Sequence, residues 1–124
     1  MKVFLYIFLG GGLGSMIRFI ISKLLPVSEG VFPWTTLLAN FIGCLFIGLL
    51  MGWAIRNDTL RSDFYLFAAV GFCGGLTTFS TFSIESLHFL KTGDYNSFIS
   101  YVFLSLTGGI IFVLLGFQGF KLLN

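Results

Sequence analysis

The chemistry in this 124-residue chain is concentrated in one stretch, Gly74-Gly75-Leu76-Thr77-Thr78-Phe79-Ser80-Thr81-Phe82-Ser83, in which five of the seven residues from 77 to 83 carry hydroxyls. Paired glycines and β-branched or hydroxylated residues are poor helix formers, and hydroxyls bond to backbone groups released where a helix breaks. Phe79 and Phe82 stand three residues apart and so share one helical face. An aromatic ring is negative over its face and positive at its edge, so two ring edges can line a path for a small anion. Seventeen phenylalanines also make a packing pair commonplace, and spacing alone leaves both readings open.

Other polar residues stand where apolar ones are the rule. Asn40, with Thr36 one turn before it, lies inside an apolar run, where an amide must bond to another helix or to something crossing the membrane. Tyr101, Ser105 and Gly109 follow i, i+4, i+8 spacing and share a face, either as a hydroxyl-lined track or with the serine bonded back to its own helix. Arg18 and Glu85 are the charges set deepest in apolar runs; each either snorkels to an interface or acts within the membrane, Arg18 then attracting anions at a vestibule. His88, beside Lys91, reads as an interfacial residue. Cys44 and Cys73 read as small packing residues, since no His or carboxylate stands at ligand spacing. No nucleophile, base and orienting group converge, so an enzyme is not expected.

The elements that must position these residues are membrane spans. Hydrophobic residues make up 56% of the chain and charged residues only 10%, against about 25% charged in soluble domains. A spanning helix needs about 20 apolar residues, which leaves room for four spans and no soluble catalytic domain. A net charge of +2 without a basic block gives nothing to track a phosphate backbone, so no nucleic-acid partner is expected. The spans read as residues 3–25, closed by Pro26 and the loop Val27-Ser28-Glu29-Gly30, then 35–55, 64–90 and 98–123, in a single four-helix domain. The first is a retained helix rather than a signal peptide, because its apolar run is too long and no small-x-small cleavage site follows. Gly10 with Gly14, and Gly48 with Gly52, carry the GxxxG spacing that lets helices approach closely. On helix propensity the third span is expected to be broken near Gly74-Gly75, the alternative being a tightly packed but intact helix; a break at membrane depth survives only under cover of protein or water.

Topology is weakly specified. With both termini and the 56–63 loop on one side, that side holds Lys2, Arg56, Arg61 and Lys121 (four) and the other holds Arg18, Lys23 and Lys91 (three). The positive-inside rule works on this difference, and a difference of one lets the chain insert either way. Two oppositely inserted copies would form an antiparallel dimer, an inverted repeat supplied between chains.

The run Gly74 to Ser83 with Glu85 resembles the signature of the CrcB-type fluoride channels, the Fluc family. The resemblance extends to Gly11, Gly12 and Gly14 with Arg18, to Thr36-Leu37, Asn40 and Gly43, and to the four-span length. It implies an all-α, dual-topology homodimer in the bacterial plasma membrane that passively exports fluoride through two pores and so protects against its toxicity. By matching positions, Phe79 and Phe82 are the pore's aromatic pair and Asn40 the amide donor near them. Ser80, Thr81, Tyr101 and Ser105 form a polar track, and Arg18 lies in the vestibule. The Gly74 and Thr77 carbonyls of both chains hold a central structural Na⁺. Gly109 departs from the family, whose members commonly carry serine there. The alternative from another class is a proton-coupled small multidrug transporter; those rely on a first-span carboxylate, which residues 3–25 lack. A scaffold reading accounts for the glycine stripes but not for the hydroxyl-rich segment.

Overall fold

In the computed structural model, which describes residues 1–25 and 31–122, every apolar run becomes a helical rod. Helix α1 covers Lys2–Leu24 and α2 covers Trp34–Arg56. The third span, Asp63–Thr92, is composite: α3 (Asp63–Tyr65), a π-helical segment (Leu66–Cys73), α4 (Gly74–Leu76) and α5 (Phe79–Thr92). Helix α6 is Tyr95–Leu122. Four helical stretches are thus long and apolar enough to cross a membrane. Pro26, the 27–30 loop and Leu123, assigned above to span ends, lie outside the described residues.

Local chemistry sets the ends. Pro33, with φ −82°, caps α2, where its missing N–H costs no helical bond. Ser62 caps α3 by accepting a hydrogen bond from the Tyr65 N–H (3.2 Å). Gly93 takes the left-handed conformation (φ 76°) that ends α5, and the Asp94 N–H donates back to the Phe89 carbonyl (3.0 Å). The Asp94 carboxylate accepts from the Ser97 N–H (3.1 Å) at the start of α6, and hydrogen bonds from Ser97 hold its carboxyl below the usual carboxylate range. This capping starts α6 at Tyr95, three residues before the apolar run suggests.

The glycine stripes dock the rods in pairs. A side chain at Gly14 would meet the Phe72 carbonyl and, at 2.8 Å, the Leu76 N–H, so α1 lies directly on the backbone of the third span. Gly48 on α2 and Gly116 on α6 likewise face each other's backbone, at Val113 and Leu45. Tyr101, Leu37 and Phe89 form a buried cluster where α2, α5 and α6 meet.

The third span differs from its expectation. Gly74 has helical dihedrals (φ −62°, ψ −37°), so the third span, bent by 19°, does not break at the glycine pair. The pair serves contact instead: a Cβ on Gly75 would strike the Gly11 carbonyl of α1. Helical dihedrals are left further on, at Thr77 (φ −81°, ψ 155°) and Thr78 (φ −148°, ψ 118°).

Candidate functional site

The extended residues Thr77 and Thr78 release backbone groups that a continuous helix would pair, and side chains from α1 and α2 take them up. Asn40 on α2 grips Thr78 from both sides: the Thr78 N–H donates to Asn40 Oδ1 (2.7 Å), and Asn40 Nδ2 donates to the Thr78 carbonyl (3.3 Å). From α1, Arg18 Nε (3.2 Å) and Ser15 Oγ (3.4 Å) donate to the Gly75 carbonyl. The Thr77 hydroxyl bonds back to the Cys73 carbonyl (2.9 Å). Thr78 also caps α5, its Oγ1 accepting from the Thr81 N–H (3.2 Å) and donating to Thr81 Oγ1 (3.1 Å). Threonine is among the favoured N-cap residues, so this much of the role is open to sequence reasoning. Nothing in the sequence sets Thr78 apart from its hydroxyl-bearing neighbours as a site residue.

A groove of about 520 Å³ opens beside this junction. Asn40, Thr77, Thr78, Phe79, Phe82 and Ser105 line it, as do Gly74, Cys44 and Cys73. The Phe79 and Phe82 rings lie 5.5 Å apart, centre to centre, tilted by 35°, and Phe79 is 76% exposed. Ser105 Oγ is buried without a hydrogen-bond partner. One amide hydrogen of Asn40 remains outside its grip on Thr78. The lining of the groove thus combines Asn40, with an amide hydrogen not used on Thr78, Ser105, with a buried hydroxyl that has no partner, and two aromatic rings, groups that can serve a small anion.

A second cavity, of about 370 Å³, lies beyond Thr78, which lines both; Arg18, Ser15, Thr36 and Thr81 are among its walls. Arg18 thus does not simply snorkel: its Nε holds backbone while the residue lines this cavity. Glu85 joins two residues that the sequence flags separately, accepting hydrogen bonds from Thr36 Oγ1 (2.7 Å) and the Tyr101 hydroxyl (2.6 Å). These partners lie 49 and 16 residues from it in sequence, too far for spacing to reveal.

Of the sequence-derived site residues, Phe79, Phe82, Asn40, Ser105, Gly74 and Thr77 come together around the first groove, and Arg18 and Thr81 around the second. Ser80 is exposed, with its hydroxyl 3.2 Å from Thr78 Oγ1. Tyr101 is fully buried, its ring 5.1 Å from that of Phe82 and its hydroxyl hydrogen directed to Glu85, so it supports Phe82 from behind rather than facing the groove.

Four apolar rods with amide, hydroxyl and guanidinium groups gathered at membrane depth define a multi-pass membrane protein of the kind that lets ions or small solutes cross a bilayer. Comparison with known proteins is more particular. The chain belongs to the CrcB family: the profile described as "CrcB-like protein, Camphor Resistance (CrcB)" matches residues 5–117. A relative from Phocaeicola vulgatus is 44% identical over 117 residues, 94% of this chain and 96% of its own, and is named "Fluoride-specific ion channel FluC". Relatives of the same name from Azobacteroides pseudotrichonymphae (39% identical, 94% of this chain and 93% of its own) and Pyrococcus abyssi (40%, 94% of each) match over similar lengths. The family is one of channels, not enzymes, in agreement with the expectation from the sequence.

Proposed function

We propose that this protein is a passive fluoride channel of the plasma membrane, exporting fluoride from the cytoplasm. The observation that carries the reading is the Asn40–Thr78 junction, which leaves an amide hydrogen beside the Phe79–Phe82 pair in a groove that also holds the unpartnered Ser105 hydroxyl. Fluoride is small and strongly hydrated, so a site that strips its water must return comparable stabilisation through short donor contacts. Asn40 and Ser105 supply the strong donors, and the ring edges supply weaker positive potential between them. Ser80 and Thr81 continue the polar lining past Thr78, Arg18 draws anions into the second cavity, and Tyr101, through Glu85 and Phe82, fixes the ring's position.

The channel is an antiparallel homodimer with two pores. Two features support this: the groove is open on one side, where hydrocarbon would leave its few polar groups unsatisfied, and the loop charges differ by one. A second copy covers that flank. Gly74 is exposed, and nothing lies within 4 Å of where its Cβ would be, so another backbone can come close there. Among the described residues no hydrogen bond reaches the Gly74 or Thr77 carbonyl, and no group of three or more His, Cys, Asp or Glu residues is placed to hold a metal. Uncommitted backbone oxygens are what a hard cation takes, so these carbonyls fit a structural Na⁺ shared by the two copies.

The proton-coupled transporter reading is not favoured, since the relatives are named as channels. Liposomes loaded with equal fluoride and chloride provide the test: fluoride leaves far faster and without a proton gradient. Equal release of both ions, or release only under a proton gradient, contradicts the proposal.

A further inference from the structure

Two thiols stand in the wall of the groove. Cys44 on α2 and Cys73 on the π-helical segment are both free cysteines, and both line the cavity that holds Phe79 and Phe82. Among the described residues no hydrogen bond uses either sulfur, so the fold does not engage them as donors or acceptors. Position 109 leaves Cys44 uncovered: a Cβ there would lie in van der Waals contact with Cys44 Sγ, at 3.6 Å, but the residue is glycine. One turn earlier on the same helix, Ser105 adds a buried hydroxyl without a partner. Two uncommitted thiols from two helices, with a hydroxyl beside them and apolar walls around, are a donor set for a soft cation; thiolate ligands select such ions over Na⁺ or Mg²⁺.

We propose that this groove binds a soft, thiophilic metal cation, with Cys44 as the anchoring ligand and Cys73 as the second, and that the bound ion blocks the anion route; the blocking clause rests on the channel reading above. Neutral HgCl₂ can reach the site through lipid. The Cys44 thiol displaces one chloride to give S–Hg–Cl and HCl. The Cys73 thiol displaces the other to give S–Hg–S and a second HCl. Both protons leave with the chlorides, and nothing is oxidised or reduced.

The test uses the full-length protein and two readouts. Intact-mass measurement after brief HgCl₂ treatment and desalting should find one mercury per wild-type chain, with two protons lost and no chloride kept. The Cys73→Ser protein should keep one chloride, and Cys44→Ser and Cys44→Ala should take up far less metal. In liposomes HgCl₂ should reduce wild-type fluoride efflux to the protein-free level, dithiothreitol should restore it, and both Cys44 variants should be insensitive. No mercury on the wild-type chain, or equal uptake by the Cys44 variants, overturns the site. Mercury bound at Cys44 with efflux unchanged overturns the block. A wild-type protein that carries no fluoride before HgCl₂ is added refutes the channel reading and the block with it, while the mass readout still decides the site.

Discussion

Asn40 does two things that substitution can separate. It satisfies both backbone groups of Thr78, a residue only 8% exposed, and it offers one further amide hydrogen to the groove. Asn40→Ala leaves the Thr78 N–H and carbonyl unpaired. A buried unsatisfied group costs about 1–3 kcal/mol, and the 3.3 Å bond lies at the weak end, so the loss should be about 2–4 kcal/mol. Asn40→Asp behaves differently. A neutral carboxyl there accepts from the Thr78 N–H and donates to the Thr78 carbonyl, which rebuilds the grip; an ionised one keeps the first bond and sets oxygen against oxygen at the second. In either form the spare amide hydrogen is gone. Losing a donor to a charged ligand costs about 1.5–3 kcal/mol, which corresponds to a fall in fluoride flux of roughly 10- to 150-fold. Thermal unfolding in detergent reads the first quantity, and a fluoride electrode outside loaded liposomes reads the second. A wild-type melting temperature for Asn40→Ala refutes the grip, and wild-type flux through a well-folded Asn40→Asp protein refutes the donor role.

Phe79→Ile and Phe82→Ile keep apolar bulk while removing the quadrupole, so each should cut flux per folded protein severely; if flux stays near wild type and stability alone falls by about 1–3 kcal/mol, the rings are packing. A cysteine introduced between Asn57 and Ser62 should react with an impermeant reagent partly in intact cells and partly only after permeabilisation; reaction from one side alone contradicts dual topology. Dialysis into Na⁺-free buffer should shorten the lifetime of the dimer on gel filtration, and Gly74→Leu should abolish the dimer while leaving helix content intact, because within one chain nothing lies within 4 Å of that position. A dimer unaffected by both removes the shared-cation site.

What the sequence reveals depends on the range of the interaction. The rods follow from apolar length, and their ends from local caps such as Pro33 and the Gly93–Asp94 pair. The GxxxG spacings of α1 and α2 are legible as docking faces because close approach needs only a small residue at the right period. Asn40 is legible as an amide that needs a partner, but that the partner is Thr78 is settled by packing across 38 residues of sequence. Propensity alone puts the break at Gly74-Gly75, but helical dihedrals are left only at Thr77, beyond the two glycines. Against α1 they instead allow contact with Gly11, and Thr78 can be gripped from α2 and cap α5. The π-helical segment Leu66–Cys73 has no sequence signature of its own; it lies where the third span packs on the glycine face of α1. The Thr36–Glu85–Tyr101 linkage joins three spans, and Cys44 and Cys73 read as packing residues because nothing local to either marks the cavity they share.

The central claim is that fluoride itself carries the charge, unaided by protons and in preference to chloride. Current through a planar bilayer holding the purified protein measures this directly, with a tenfold fluoride gradient, equal chloride on both sides and equal pH. A fluoride-selective passive pore reverses at about 59 mV, the Nernst potential of a monovalent ion for a tenfold gradient, with the sign set by the fluoride gradient. It holds that value when a pH gradient is added. Reversal near 0 mV, or a reversal potential that moves with the pH gradient, contradicts the account.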